Sequence, residues 1–234
     1  MRDAAGSLRQ AERKSEIMPS YRFIIADDHP LFRDALRQSL AASYENVDIT
    51  EAGSLDEVIT ILEGAGPFDL VLLDLKMPGV QGLAGLAFLR AQFPDTPTIV
   101  VSATEEPPVM RRAIDLGASG FVPKSTPVGV IRAAVAEVLK GEIWLPADIA
   151  GSGSSDHETD EIARKIATLT PQQVRVLMML REGLLNKQIA YGLGVSEATV
   201  KAHVSAVLQK LGVESRTQAV IAAGRIDGDR SYDS

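Results

Sequence analysis

The sequence predicts a doubly wound α/β domain with a parallel sheet, followed by a small all-α domain of four short helices. Three observations carry this prediction. Five strand-like apolar runs alternate with five helical patterns between Tyr21 and Lys140; a small, polar, acidic stretch, GSGSSDHETDE, interrupts the chain; and everything from about Ile162 to Ile226 has helical spacing only. A chain of 234 residues fits two domains of ordinary size. With 45% hydrophobic and 24% charged residues it has the balance of a globular protein. The domains expected are 21–142 and 166–228, joined by a linker over 143–165, with an N-terminal extension over 1–20 and a tail over 229–234.

The strand-like runs are FIIADD, VDITEA, FDLVLLDL, TPTIVVSA and SGFVPK. Those that are apolar along their whole length suit strands buried on both faces, and alternation with helices means right-handed crossovers in a parallel sheet. The helices expected between them run Pro30–Ser43, Ser54–Gly64, Leu83–Phe93, Pro107–Leu116 and Pro127–Lys140. Ser54 with Glu57 reads as a capping box, and Gly117 and Gly141 fall where helices should stop. In the back half Thr170, Pro171 and Gln173 form a second capping box. Gly183 ends that helix, and Asn186 caps the next. Gly194 breaks it, and Ser196 opens a third, which ends at Gly212; Ser215 with Gln218 starts a fourth. A glycine turn between the second and third helices gives the spacing of a helix-turn-helix.

Cysteine is absent, which excludes disulfides, thiolate metal sites and cysteine nucleophiles and suits a reducing cytoplasm. No run is apolar enough to span a membrane. The net charge of −7 is unevenly spread: Tyr21–Ala150 carries 10 basic against 18 acidic residues, whereas Arg164–Gly224 carries 8 against 3. A basic helical module behind an acidic domain points to double-stranded DNA as the partner of the back half.

Asp27 and Asp28 end the first strand, Asp74 the third and Ser102 the fourth, and Lys124 follows the fifth. Open parallel sheets bind ligands outside the carboxyl ends of their strands, so these groups should meet in one crevice. Converging carboxylates repel unless one takes a proton or a cation joins them. Oxygen ligands select a hard ion such as Mg²⁺. Asp74 could then act as a nucleophile toward a phosphoryl group, with Lys124 balancing the phosphoryl oxygens and the Ser102 hydroxyl donating to one.

The run ADDHPLFRDAL, the segment DLVLLDLKMPG, the Ser102-Ala103 pair and GFVPK resemble, in order and spacing, the receiver domain of bacterial two-component response regulators. The resemblance implies a flavodoxin-like sheet of order 2-1-3-4-5. It also implies Mg²⁺ held by Asp27, Asp28, Asp74 and the Lys76 carbonyl, and phosphorylation of Asp74 from a sensor histidine kinase. Ser102 and Phe121 would form a switch pair in which the hydroxyl swings to the phosphate and the ring turns inward. The protein would not be an enzyme in the ordinary sense, assisting phosphoryl transfer to its own aspartate and its slow hydrolysis. Ser102 and Phe121 stand where the family more often has Thr and Tyr, which loosens the expected coupling. Lys76 and Thr104 flank the pocket, either tuning the phosphoryl lifetime or forming solvated surface.

In SEATVKAHVSAVLQKL, Val200, Val204, Val207, Leu208 and Leu211 form an apolar face. Ala198, Lys201, Ala202, Ser205 and Gln209 lie opposite, small or hydrogen-bonding groups suited to a major groove, while Thr199, His203 and Lys210 lie along the flank within reach of phosphates. His203 is alternatively a core-edge histidine. LTPQQVRVL, NKQIAYGLGVSEATVKAHVSAVLQKLGV and SRTQAV are similar to the LuxR-type helix-turn-helix of the NarL/FixJ subfamily. This resemblance implies DNA contacts from Lys201 and His203, Lys187 and Thr199 near the backbone, and a homodimer through the fourth helix. Gln172-Gln173 replaces the usual Arg-Glu, whose acidic residue helps tie the four helices together, so the capping contact of Gln173 is expected to replace some of that stability.

The reading is a transcriptional regulator switched by phosphorylation of Asp74. One alternative is a receiver controlled by protein partners or a ligand independently of phosphorylation. A second, a hydrolase with an aspartyl-phosphate intermediate, calls for Asp-x-Asp on one strand, whereas Leu75 and Lys76 follow Asp74.

Overall fold

A computed structural model describes residues 21–149 except 81, and 161–226 except 163 and 167. The expected N-terminal extension, most of the linker and the tail lie outside these residues.

The front domain is a five-stranded, all-parallel sheet of order β2-β1-β3-β4-β5. Its strands are β1 (Tyr21–Ala26), β2 (Val47–Ala52), β3 (Leu70–Leu73), β4 (Thr98–Ser102) and β5 (Gly120–Pro123). The crossover helices are α1 (Pro30–Ala41), α2 (Leu55–Gly64), α3 (Leu83–Gln92), α4 (Pro107–Asp115) and α5 (Val128–Val138). β3, β4 and β5 are buried at every position. Successive side chains leave a strand on opposite faces, and the core divides accordingly. Ile24, Val71, Leu73, Val100 and Phe121 pack on the face covered by α2 to α4, whereas Phe23, Ile25, Leu70, Leu72, Ile99 and Val122 pack with α1 and α5.

Local signals work as expected with small shifts. Ser54 Oγ accepts from the Glu57 N–H, but the Glu57 carboxylate accepts from the N–H of Gly53 instead of Ser54. The box is therefore displaced by one residue. Gly85 sits in α3 where a Cβ would lie 2.8 Å from both the carbonyl and a methyl of Val80, so only glycine permits this close approach.

The start of the expected linker is part of the sheet. The Trp144 N–H donates to the Ser119 carbonyl and the Trp144 carbonyl accepts from the Phe121 N–H, each at 3.0 Å, forming a parallel bridge between Gly120 and Trp144 at the β5 edge. A Cβ on Gly120 would stand 3.1 Å from the Trp144 oxygen, so that residue makes room for the bridge.

The back domain comprises α6 (Pro171–Arg181), α7 (Asn186–Leu193), α8 (Glu197–Leu211) and α9 (Arg216–Ile226). Thr170 and Gln173 close the expected capping box. Asn186 is the first helical residue instead of the cap; Leu185 takes that place, and its N–H donates to Gln188 Oε1. Gly194 and Gly212, at φ +64° and +71°, end α7 and α8 in the left-handed conformation. Val176, Leu180, Ile189 and Val200 are buried together under α6, α7 and α8.

The two domains pack against each other. All seven residues from Leu83 to Leu89 are buried because α3 lies between the sheet on one side and α6 and α9 on the other. Val174, Leu177, Met178, Val207, Leu211, Ala219 and Ala223 belong to the same apolar cluster as Phe88 and Phe121. At the margin Arg175 Nε meets Asp56 Oδ1 at 2.5 Å, and Arg112 donates to the Arg225 carbonyl at 3.0 Å.

Candidate functional site

The sheet ladder continues one residue past the strand ends and so fixes the backbones of the expected acidic pocket. The Asp27 N–H donates to the Ala52 carbonyl, that of Asp74 to Ala26 at 2.8 Å, and that of Lys124 to Ser102 at 2.7 Å. Asp27, Asp74 and Ser102 are almost fully buried, while Asp28 is exposed at the mouth. Asp27, Asp28, His29 and Asp74 each offer a ligand atom within 4.8 Å of the others. The three carboxylates do converge.

Their repulsion is met from within the chain. Lys124 Nζ lies 2.6 Å from Asp27 Oδ2 and 2.8 Å from Asp74 Oδ2, and 4.9 Å from the centre of the Phe32 ring. Burial by itself lowers the pKa of this ammonium, but contact with Asp27 and Asp74 and the charge of both carboxylates outweigh it and hold the pKa above the ordinary lysine value. The lysine expected to face phosphoryl oxygens thus bridges two aspartates. Its approach to Asp27 Oδ2 is an ion pair without hydrogen-bond alignment, and that buried oxygen has no hydrogen-bond donor. Ligand oxygens of three carboxylates brought within 4.8 Å of one another fit a hard divalent ion.

Asp74 Oδ1 accepts from the Lys76 N–H at 3.2 Å, and Lys76 is exposed. Ser102 Oγ accepts from the Thr104 N–H at 3.2 Å. Phe121 is fully buried, in the apolar cluster that the receiver shares with the back domain. A cleft of about 490 Å³ opens onto Asp74 between His29, Leu31, Phe32, Lys76 and Lys124. Two supporting residues were not foreseen. Arg33 donates to the Asp27 carbonyl and pairs with Glu51, fixing the β1–α1 turn, and His29 contacts both Asp27 and Asp28. Arg33 lies six positions beyond Asp27, one turn into α1, a spacing that could have revealed it.

On α8 the separation of faces holds. Val200, Val207 and Leu211 are buried and Val204 and Leu208 half-buried, whereas Ala198, Lys201, Ala202, Ser205 and Gln209 are all exposed. Thr199 is exposed with its hydroxyl 2.8 Å from that of Ser196, Lys201 pairs loosely with Glu197 at 3.3 Å, and Ser205 donates to the Lys201 carbonyl. His203 is half-buried and Lys187 is exposed at the start of α7. Lys210 departs from expectation. Its ammonium donates to the Thr168 carbonyl at 2.7 Å and to Gln173 Oε1 at 2.8 Å, which clamps α8 to α6 and turns it away from the open face. Gln173 thereby supplies the tie among helices that the missing Arg-Glu pair left open.

Residues 23–136 match the response regulator receiver domain family, and residues 167–223 match the luxR family of bacterial regulatory proteins. The glycerol metabolism activator of Pseudomonas putida is 40% identical over 213 residues, covering 88% of this chain and 96% of that protein. The nitrate/nitrite response regulator protein NarL of Escherichia coli K12 is 32% identical, covering 85% and 92%. Among solved structures, two RcsB dimers bound to two parallel DNAs align with TM-score 0.52 and 26% identity over 88% of this chain and 98% of that one. The chain is a two-component response regulator of the NarL/FixJ type.

For this response regulator, control of transcription through a DNA-binding helix-turn-helix follows from the family. The exposed polar face of α8 remains open while α6 and α9 rest on the receiver. Among the described residues no helix is long and apolar enough to cross a membrane.

Proposed function

We propose that the protein is a cytoplasmic transcriptional regulator switched by Mg²⁺-dependent phosphorylation of Asp74 from a partner histidine kinase. The observation that carries this reading is the burial of Asp74 at the end of β3, at the foot of an open cleft, with the Lys124 ammonium 2.8 Å from one of its oxygens. Asp27, Asp28, Asp74 and the Lys76 carbonyl would hold the ion, which supplies charge neutralisation for the incoming phosphoryl group.

The chain's own part is positioning. Backbone bonds hold Asp74 at the cleft, where a carboxylate oxygen would attack the phosphorus of a phosphohistidine as the P–N bond breaks. Lys124 exchanges one carboxylate contact for a phosphoryl oxygen. The Ser102 hydroxyl gives up the Thr104 N–H to donate to the same group, and Ser102 with Phe121 relays the change. On the DNA side, Lys201, Ser205 and His203 would meet the groove, and Lys187 and Thr199 the backbone; homodimerisation would accompany phosphorylation or DNA binding.

Incubation with acetyl phosphate and Mg²⁺ followed by intact-mass measurement tests the reading. A stable increment of one phosphoryl group is expected, absent in Asp74→Asn. In a receiver controlled by protein partners or a ligand independently of phosphorylation, no increment would form.

A further inference from the structure

We propose that Arg33 and Glu51, which lie outside the acidic pocket, are positioning residues for it: they hold the Asp27 backbone from the side of α1 and β2, and so set how tightly the pocket binds Mg²⁺. The inference rests on the reading that this pocket holds Mg²⁺.

Asp27 has to stay in a place from which its neighbours repel it. Its buried carboxylate shares the pocket with those of Asp28 and Asp74, with ligand atoms within 4.8 Å of one another. The start of α1 does little to secure the turn that carries it: the N-cap residue His29 makes no side-chain capping bond, and Pro30 at the first helical position has no N–H to offer. A clamp from neighbouring elements takes that part. The Arg33 guanidinium, one turn into α1, donates to the Asp27 carbonyl, and its Nε donates to Glu51 Oε2 at 3.0 Å. The other Glu51 oxygen meets Arg37 Nε at 3.1 Å, so one carboxylate at the end of β2 grips two successive turns of α1. Asp27 is thereby held at both backbone polar groups, its N–H by the Ala52 carbonyl at 3.0 Å and its carbonyl by Arg33. Both anchors lead back to the end of β2.

The residue types suit the task. A planar guanidinium presents its N–H groups in a fixed fork, which lets Arg33 reach the Asp27 carbonyl and Glu51 at once, whereas the ammonium of a lysine is a point charge on a flexible stem. Residues that orient metal ligands without touching the ion change affinity by roughly 10–100-fold when replaced. Asp74 is secured separately, by the bond of its own N–H to the Ala26 carbonyl and by Lys124. Releasing the clamp therefore weakens the hold on the ion and leaves the reacting aspartate in place.

The test measures Mg²⁺ affinity by calorimetry on the full chain as wild type, Arg33→Lys, Glu51→Gln and Arg37→Ala, with urea unfolding to establish that each is folded. Arg33→Lys and Glu51→Gln act at opposite ends of the clamp, so if one fails to fold the other decides. Affinity is expected to fall on the order of 10-fold in these two and by less than about twofold in Arg37→Ala, which removes only the outer, half-exposed contact. The initial rate of phosphorylation by acetyl phosphate at saturating Mg²⁺ should stay within about threefold of the wild type, so that the loss shows in the metal requirement alone. Folded variants of lower stability that bind Mg²⁺ as the wild type does would reduce the clamp to a structural role and overturn the inference, leaving the pocket's proposed role standing. An equal loss in Arg37→Ala, or a fall in rate at saturating Mg²⁺ as large as the fall in affinity, would overturn it as well. A wild type that binds no Mg²⁺ would overturn both the inference and the reading beneath it.

Discussion

Lys124 occupies the centre of the pocket, and its two contacts decide how stability and function meet there. Removing it leaves Asp27 and Asp74 buried side by side without a cation. Lys124→Met should therefore cost about 1–3 kcal/mol of folding stability in metal-free buffer, read by urea unfolding, with part of the loss recovered when a divalent ion is added. Its pH dependence has a defined sign. The folded-state pKa is raised above the ordinary 10.5, so the stabilisation is complete below that value and is lost as pH rises through the higher folded value. Alkaline unfolding of the wild type should show this loss, and the Met variant should lack it. Asp27, Asp74, Ser102 and Lys124 were legible in the sequence because each directly follows or ends an apolar run whose direction in the sheet is fixed. Lys210 was not. Helical spacing places it on the flank of α8, but its partners Thr168 and Gln173 lie 42 and 37 residues away, and nothing local to the helix signals them.

Among the elements, the bridge between β5 and Trp144 connects the switch region to the chain that leads into the DNA-binding domain. Phe121 gives its side chain to the core and its N–H to Trp144, so displacement of β5 moves the first residues of the linker directly. The chain has a single tryptophan, which makes the contact observable. Gly120→Val should push the Trp144 carbonyl away, destabilise the receiver by about 1–3 kcal/mol and shift tryptophan emission to the red; unchanged emission would remove the bridge from the coupling path. The strands and helices themselves were readable from periodicity and caps to within a few residues. The bridge was not, because a single paired residue in a short run after α5 has no period. The burial of α3 on all sides was likewise visible only as a continuous small and apolar run, LAGLAFL, whose second partner lies more than 80 residues downstream.

For the whole molecule, the two domains share one apolar cluster, and the surface they bury belongs to α3, α6 and α9 while the polar face of α8 stays open. Domain docking in this arrangement leaves the exposed face of α8 uncovered, so under the proposed function control over DNA would act through dimerisation or the orientation of two copies. The Asp56–Arg175 pair lies at the margin with side chains 59% and 28% exposed, and exposed pairs contribute little. A double-mutant cycle of Asp56→Ala and Arg175→Ala should return a coupling below about 1 kcal/mol, and neither change should expand the molecule in small-angle scattering; a large expansion would assign the docking to charge instead of apolar burial. The division into two domains was plain from charge and composition, but their packing was not, since each half reads as complete on its own.

The link between Asp74 and the grip on DNA is tested most directly by titrating a duplex obtained by site selection with the full chain, before and after treatment with acetyl phosphate and Mg²⁺, and following fluorescence anisotropy at fixed salt. Treatment should raise the affinity of the wild type and leave that of Asp74→Asn unchanged. Equal affinities before and after treatment of a chain shown by mass to be phosphorylated, or a gain that persists in Asp74→Asn, would contradict it.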